Sequence, residues 1–265
     1  MAFIQCGFSS EILGMKTNMN VLLPQDTARQ SKQAPPVLYL LHGHTDDHAA
    51  WTRFTGLERF VRELNLAVVM PTVHNGFYTN TEIGYRYFDF CTQELPALVG
   101  SMFHVSTARE DTFVAGLSMG GYGAWRLALG CPEQYYYAAS MSGVLDIAGE
   151  CEQRLGDPEV SGDFVRDIVN AFGPEGVRRG SECDLLYLAD RVSASGGPKP
   201  ILRQYCGTED FLYESNQRAK QHVEPLGFDY AYAEGPGAHT WDYWDARIQD
   251  ILSELGKINP KICCK

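Results

Sequence analysis

Short apolar runs that alternate with helical patterns are the feature that most constrains the fold of this 265-residue chain. Runs of this length and composition suit strands that are buried on both faces of a parallel sheet. The alternation of strands with helices predicts the α/β class, with a mostly parallel sheet and helices on both of its faces. The runs are VLYLLHG (37–43), LAVVMPTV (66–73), TFVAGLS (112–118), YYYAASMSG (135–143) and ILRQYCG (201–207). The helices are predicted at about 55–64, 88–103, 119–130, 214–224 and 242–255.

Two parts of the chain do not follow that alternation. The segments AFIQCGFSSEIL and TNMNVLLPQ, near the amino terminus, predict an antiparallel hairpin. Residues 145–180 are charged and punctuated by glycine, and we interpret them as an insertion on the sheet within a single domain spanning 1–265. Because open α/β sheets bind ligands at the carboxyl ends of their strands, such an insertion would overhang a site there as a lid. The alternative is a surface excursion with no role in substrate selection.

The composition excludes several classes of partner. The formal net charge of −11 argues against nucleic acid and anionic membranes, since both attract basic surfaces. No stretch approaches the ~20 apolar residues of a membrane span, and the start MAFIQCGFSSEILGM lacks the features of a secretion signal. Eight cysteines without such a signal predict reduced thiols and a cytoplasmic location.

A serine with glycines on both sides ends the third apolar run. In FVAGLSMGGYGAW (113–125), Ser118 has Gly116 two residues before it and Gly120 two residues after it. A nucleophile elbow places this pattern between a strand and a helix, and the turn is so tight that any β-carbon would collide. The amino end of the helix that follows Ser118 would then point at the serine, where its free N–H groups and dipole would stabilise the negative charge that develops in the reaction. We therefore interpret Ser118 as a nucleophile; the alternative is a structural serine in a glycine-rich turn.

A nucleophilic serine needs a base, and two histidines follow it along the chain. In proteins with such an elbow the order is serine, acid, histidine. His222 lies within the helical pattern ESNQRAKQHVEPLG, where a solvated histidine is the ordinary expectation. His239 lies in the glycine-rich loop GPGAH, after the run FDYAYAE and before a helix. This position, at the end of a strand, favours His239 as the base.

The carboxylate that orients the base is predicted at the end of the run 201–207. The sequence there continues Thr208-Glu209-Asp210, and Asp210 is favoured with Glu209 as the alternative. Other acids are less well placed or have a simpler role as a helix cap; they are Asp184, Asp190, Asp229 and Asp242.

The oxyanion of a tetrahedral intermediate needs two hydrogen-bond donors. One is expected from the backbone N–H of Met119, the residue after the nucleophile, and the other from a loop after an early strand. The loop His42-Gly43-His44 follows the first run, which predicts the N–H of His44 as the second donor.

The same loop also allows a metal site. The sequence HGHTDDH (42–48) nearly matches the H-x-H-x-D-H motif of metal-dependent hydrolases, and His42, His44 and His48 could hold zinc. Residue 47 is Asp where that motif has histidine, and a metal site leaves the elbow unexplained. We therefore predict no metal and no organic cofactor, with metal catalysis as a minor alternative.

Taken together, these elements resemble the esterase D-like family of α/β-hydrolases, in particular its tributyrin esterase and feruloyl esterase branch. The matching stretches are LLHGHTDDHAAW, GLSMGGYGAWRLAL, GTEDFLY, GAHTWDYW and the amino-terminal SEILGMKTNMNVLLPQ, which together span nearly the whole chain. The resemblance implies the α/β-hydrolase fold, Ser118, Asp210 and His239 as a triad, and the His44 and Met119 amides as an oxyanion hole. It also implies hydrolysis of short acyl esters, acetylated or feruloylated sugars among them, and a lid at 145–180.

The sequence thus predicts a cytoplasmic serine carboxylesterase that acts on a small-molecule ester. S-formylglutathione thioesterases and acyltransferases belong to the same family, so these activities remain alternatives. A binding module that has kept only the fold is a further alternative, and assembly into a homo-oligomer is an alternative to a monomer.

Overall fold

A computed structural model describes residues 1–25, 34–157, 160 and 162–263. Residues 158, 159 and 161 of the predicted insertion lie outside this part of the chain. Within it, eight strands form one sheet in the order β1-β2-β4-β3-β5-β6-β7-β8. The strands are β1 (Ala2–Ser10), β2 (Met15–Leu23), β3 (Val37–Leu41), β4 (Ala67–Pro71), β5 (Thr112–Leu117), β6 (Tyr137–Met141), β7 (Ile201–Gly207) and β8 (Tyr230–Gly235).

The direction of the strands follows from their connections. β1 pairs with β2 across a tight turn, so this pair is antiparallel, and β2 is also antiparallel to β4. The pairs from β4 through β3, β5, β6 and β7 to β8 are parallel. The predicted mostly parallel sheet and amino-terminal hairpin are therefore confirmed.

Helices connect the strands and cover both faces of the sheet. They are α1 (Ala50–Phe54), α2 (Leu57–Val61), α3 (Tyr87–Asp89), α4 (Leu95–Phe103), α5 (Met119–Gly130), α6 (Ile147–Arg154), α7 (Gly162–Phe172), α8 (Leu185–Ala194), α9 (Tyr213–Val223) and α10 (Trp241–Ile258). Side chains of α1, α2 and α10 pack on one face, and those of α4, α5, α8 and α9 pack on the other.

The alternation of side chains along β3 shows how one strand serves both cores. Tyr39 and Leu41 belong to the cluster with α5, whereas Leu38 and Leu40 belong to the cluster with α10. All four are buried. Burial on both faces explains why these runs are almost continuously apolar in the sequence.

Two predicted helices differ in detail from the structure. The helix expected at 55–64 is shorter, α2 (Leu57–Val61), and a separate helix α1 precedes it at 50–54. Between the two, Gly56 N–H donates to Asp245 Oδ1 at 2.7 Å. The helix expected at 88–103 contains a π-helical turn, Phe90–Glu94, directly before α4. Pro96 lies in the first turn of α4 and has no N–H to donate, so the regular hydrogen-bond pattern cannot continue through it.

Candidate active site

Ser118 lies in the sharp turn between β5 and α5. Its backbone has φ 51° and ψ −119°, a combination that residues other than glycine rarely adopt. The turn is held at both ends, because Ser118 N–H donates to Met141 O at 2.9 Å and Tyr122 N–H donates to Ser118 O at 3.1 Å. The side chain therefore projects beyond the end of the sheet, ahead of the helix amino terminus.

The two glycines of the motif are required by close backbone contacts. A β-carbon at Gly116 would lie 2.3 Å from Gly120 O, and one at Gly120 would lie 2.6 Å from the carbonyl oxygens of Leu41 and His42. Neither contact can be relieved by moving a flexible side chain. The sequence-based explanation of these glycines is thus supported by the geometry.

Asp210 and His239 are brought together by the loops that follow β7 and β8. Thr208 N–H donates to Gly235 O at 2.9 Å, and Glu209 N–H donates to Gly237 O at 3.0 Å. The Glu209 carboxylate accepts a hydrogen bond from Gly237 N–H. Glu209, the alternative acid of the sequence analysis, therefore fastens the His239 loop while Asp210 faces the imidazole.

A continuous hydrogen-bonded relay links the three predicted residues. His239 Nε2 lies 3.0 Å from Ser118 Oγ, and His239 Nδ1 lies 3.0 and 3.1 Å from the two carboxylate oxygens of Asp210. Burial alone would raise the pKa of Asp210, but its hydrogen bonds with His239, Leu212 N–H and Ser142 hold that pKa below its ordinary value. Asp210 is therefore an anion that can hold the imidazole with Nδ1–H toward it and Nε2 toward the serine.

Three further side chains, which sequence reasoning did not assign to the site, surround this relay. Ser142 follows β6 with φ 51°, and its hydroxyl accepts from Trp244 Nε1 at 3.1 Å and helps to lower the pKa of Asp210. The rings of Trp244 and Phe211 pack against His239, with centroids 4.9 and 4.5 Å away. A usable signal was present for Ser142, since it follows a buried strand at the same edge of the sheet as Ser118.

The loop after β3 lies against the serine. A β-carbon at Gly43 would lie 2.6 Å from Leu117 Cδ1 and 3.7 Å from Ser118 Cβ, so the backbone of this loop passes close to the nucleophile position. His42, directly before it, is buried and holds the loop: Nδ1–H donates to Gly43 O at 2.8 Å and Nε2 accepts from Val73 N–H at 3.1 Å. Burial lowers the pKa of His42 to about 4, so this histidine is neutral.

The histidines of the metal alternative have separate partners. His44 Nε2 bonds to Asp167 Oδ2 at 3.0 Å, and His48 Nδ1 bonds to Thr72 Oγ1 at 2.7 Å, while both ring nitrogens of His42 are occupied. Among the described residues, no three His, Cys, Asp or Glu side chains are arranged to hold a metal ion. This arrangement does not favour a metal centre at 42–48.

The remaining candidates lie apart from the relay. His222 is on α9 and pairs with Asp190 on α8 at 2.9 Å. Asp184 caps α8 by accepting from Leu186 N–H, and Asp229 pairs with Arg203. Of the two preferred residues, His239 is the histidine that meets Ser118, and Asp210 is the acid that meets His239.

A cavity of about 340 Å³ opens above Ser118. Its lining is mostly apolar and comes partly from the segment 145–180, with one charged pair in which Arg154 Nε lies 2.7 Å from Glu150 Oε2. The lining side chains are His44, Phe77, Ser118, Met119, Val144, Glu150, Arg154, Val160, Phe164, Phe211 and Leu212.

None of the helices in the described ranges combines the length and apolar character that crossing a bilayer requires.

The sheet, the elbow and the relay define a serine hydrolase of the α/β-hydrolase fold. A model of the Esterase family matches residues 10–255, and the chain belongs to this family. The predicted membership of the esterase D-like group is thereby confirmed, and the protein is a serine carboxylesterase whose substrates are small-molecule esters.

Several characterised proteins are similar over nearly their full length. An acetyl esterase of Caldicellulosiruptor saccharolyticus is 29% identical over 269 residues, covering 98% of this chain and all of that protein. The fluorophosphonate-binding serine hydrolase F of Staphylococcus aureus is 32% identical with a TM-score of 0.87, covering 97% of this chain and 98% of that one. An S-formylglutathione hydrolase of the same organism is 30% identical with a TM-score of 0.84, covering 97% and 99%.

Proposed function

We propose that Ser118 is the nucleophile, His239 the general base and Asp210 the orienting acid of this carboxylesterase. The observation that carries the proposal is the relay from Ser118 Oγ through His239 to Asp210, with contacts of 3.0 Å on each side of the imidazole. The backbone N–H groups of His44 and Met119 are proposed as the oxyanion hole. The position of the 43–44 loop beside Ser118 supports this assignment.

The reaction follows from these positions. Ser118 Oγ attacks the ester carbonyl carbon as His239 Nε2 takes its proton, and the carbonyl oxygen becomes an oxyanion that the two amides stabilise. The bond to the alcohol oxygen then breaks, and His239 returns the proton to the departing alcohol. Water next attacks the acyl-enzyme, giving its proton to His239, and the acid is released as Ser118 regains its proton.

The substrates proposed are short acyl esters, including acetylated sugars. The apolar side chains beside Ser118, among them Phe77, Val144 and Phe164, suit an acyl group, and the Glu150–Arg154 pair offers hydrogen-bonding groups to a hydroxylated alcohol. The similarity to an acetyl esterase supports this choice of acyl group.

Residues 145–180 are proposed as a lid on a single domain that spans 1–265. This segment carries α6 and α7 and contributes Glu150, Arg154, Val160 and Phe164 to the cavity. An insertion in this position can select substrates by shape, because it closes the cavity opposite the serine.

Thioester hydrolysis is the second candidate activity. It is favoured by the 30% identity to an S-formylglutathione hydrolase over nearly the whole of both chains. Measuring kcat/KM for matched oxygen esters and thioesters that share one acyl group separates the two activities. A thioester preference of more than tenfold would assign the thioesterase, whereas equal or lower values support the esterase.

A fluorophosphonate probe tests the nucleophile directly. We expect the wild-type protein to be labelled, and the folded Ser118→Ala variant to be neither labelled nor active on p-nitrophenyl acetate. Asp190→Asn, at an acid that pairs with His222 away from the relay, is a matched control, because only Asp210→Asn should remove most activity. Labelling that persists in Ser118→Ala would overturn the assignment.

A cytoplasmic location is proposed as well. The seven cysteines in the described part of the chain are free thiols, which supports a reducing compartment. Assembly into a homo-oligomer stays a prediction.

A further inference from the structure

The lid helix α7 is hydrogen-bonded to the loop that carries the proposed oxyanion donor. His44 Nε2–H donates to Asp167 Oδ2 at 3.0 Å, across 123 residues of sequence. Asn75 Nδ2 donates to the same oxygen at 2.8 Å, while Asn75 Oδ1 accepts from Thr45 N–H at 2.9 Å. Two side chains thus hold consecutive residues of the loop, His44 by its ring and Thr45 by its backbone.

The loop needs such support because its backbone is strained. Thr45 has φ 69°, in the left-handed region, which is a genuine outlier for a β-branched residue. Strained conformations persist only where the surroundings determine them, and they cluster at functional sites. The bond from Thr45 N–H to Asn75 supplies a partner for that strained peptide.

Asp167 is placed to act as the centre of this arrangement. Its side chain is only 9% exposed, and its second oxygen accepts two hydrogen bonds from Arg166 at 3.0 and 3.1 Å. The His44 ring is also enclosed by Phe77 and Phe164, with centroids 6.0 and 5.9 Å away. The carboxylate is therefore fully hydrogen-bonded, and its release would leave both His44 and Asn75 without their acceptor.

We propose that Asp167 and Asn75 are positioning residues that hold the oxyanion loop, so that the second oxyanion donor is in place only when α7 is docked. This inference rests on the proposed function, in which His44 N–H stabilises the oxyanion. Neither residue touches the reacting atoms; both act through the backbone of residues 44 and 45. The lid would thereby control the rate of acyl transfer as well as the shape of the cavity.

The test compares kcat and KM for p-nitrophenyl acetate among four variants. We expect Asp167→Ala to lower kcat by about 10- to 100-fold with KM within about twofold, since loss of a whole donor costs about 10²- to 10³-fold. Asp167→Asn keeps one acceptor oxygen and should lose less than tenfold. Asn75→Asp keeps the acceptor for Thr45 but loses the donor to Asp167, and it should also lower kcat. Asp163→Asn, an exposed acid of the same helix that pairs with Arg166, is the matched control and should leave kcat unchanged.

A second readout is specific for the oxyanion hole. The inhibition constant of phenylboronic acid, whose tetrahedral serine adduct resembles the intermediate, should rise by about the factor by which kcat/KM falls. Thermal unfolding shows whether Asp167→Ala folds. If it does not, Asn75→Asp, whose substitution lies in a surface loop, tests the same proposal: its kcat should fall and its inhibition constant for phenylboronic acid should rise.

The outcomes separate this inference from the proposed function. If the wild-type protein is active and Asp167→Ala has an unchanged kcat, or differs only by a raised KM, the positioning role of Asp167 is overturned. A wild-type protein that neither hydrolyses p-nitrophenyl acetate nor reacts with fluorophosphonate overturns the proposed function itself, and this inference with it.

Discussion

The indole N–H of Trp244 donates a hydrogen bond to Ser142 Oγ, with 3.1 Å between the two atoms. Because this bond occupies a lone pair of the hydroxyl, its single proton is free to point at Asp210, whose pKa the hydroxyl helps to lower. Trp244 also packs edge-on against His239. One aromatic side chain therefore supports both the acid and the imidazole of the proposed triad.

Removing this support should slow the reaction. We expect Ser142→Ala to lower kcat/KM by about 10- to 100-fold, since a hydrogen bond to a charged group contributes about 1.5–3 kcal/mol. Trp244→Phe keeps an aromatic ring beside His239 and loses only the N–H, so its loss should be smaller, about threefold. Steady-state kinetics on p-nitrophenyl acetate measure both, and a wild-type kcat/KM in Ser142→Ala would contradict the role.

The carboxyl-terminal end of α10 is fastened by a second buried acid, Asp111. Burial opposes its ionisation, but hydrogen bonds from Lys261, Ser106 and Asn259, at 2.6–2.8 Å, hold the pKa of Asp111 below its ordinary value. A pKa lower in the folded than in the unfolded state stabilises the fold above about pH 4, and this contribution is lost as pH falls through the folded value.

The variant Asp111→Asn isolates this contribution. At pH 7 we expect its free energy of unfolding to be about 2 kcal/mol below that of the wild type, from the loss of charged hydrogen bonds. The difference should shrink as pH falls below about 4, because the wild-type carboxyl then becomes protonated as well. Urea unfolding at pH 7 and pH 3 provides both values, and a difference that grew toward low pH would be incompatible with a lowered pKa.

The glycines of the elbow give a prediction with an internal control. Gly120→Ala would bring a β-carbon to 2.6 Å from two backbone carbonyl oxygens, so the sheet and α5 must move apart. We expect a loss of at least about 3 kcal/mol in unfolding free energy, the upper end for overpacking, together with loss of activity. Gly235→Ala adds a β-carbon with nothing within 4 Å. We expect this variant to keep its unfolding free energy within about 0.5 kcal/mol, and its activity within about twofold, of the wild-type values. Similar behaviour of the two variants would refute the steric argument.

The sequence predicted the fold and the relay for physical reasons that act locally. Each central strand is buried on both faces, so its apolar run was visible, and parallel strands bring their carboxyl ends to one edge. Ser118 and Asp210 each follow such a strand, and His239 follows β8, a half-buried strand at the edge of the sheet. Chain order and strand ends were therefore enough to nominate them. The glycines could be assigned because the tight turn allows no β-carbon.

The supporting contacts could not be predicted in the same way. The bond from His44 to Asp167 joins residues 123 positions apart, and Asp167 lies in an insertion whose helices α6 and α7 had no strand pattern around them. Ser142 and Trp244 are 102 positions apart. Which side chains meet across such distances depends on how the helices pack, and periodicity carries no information on that.

The backbone of Ser118 allows the cost of the elbow to be measured. Its φ of 51° is unfavourable for a side chain with a β-carbon, and such a conformation costs about 1–3 kcal/mol. Ser118→Ala and Ser118→Gly both remove the hydroxyl and its bond to His239, but only glycine also relieves the strain. We therefore expect both variants to be inactive and Ser118→Gly to be more stable than Ser118→Ala by about 1 kcal/mol, measured by urea unfolding at pH 7. Glycine elsewhere in a helix or strand is less stable than alanine by about 0.5–1 kcal/mol, so an alanine variant more stable than the glycine variant by that amount would show that the turn stores no strain.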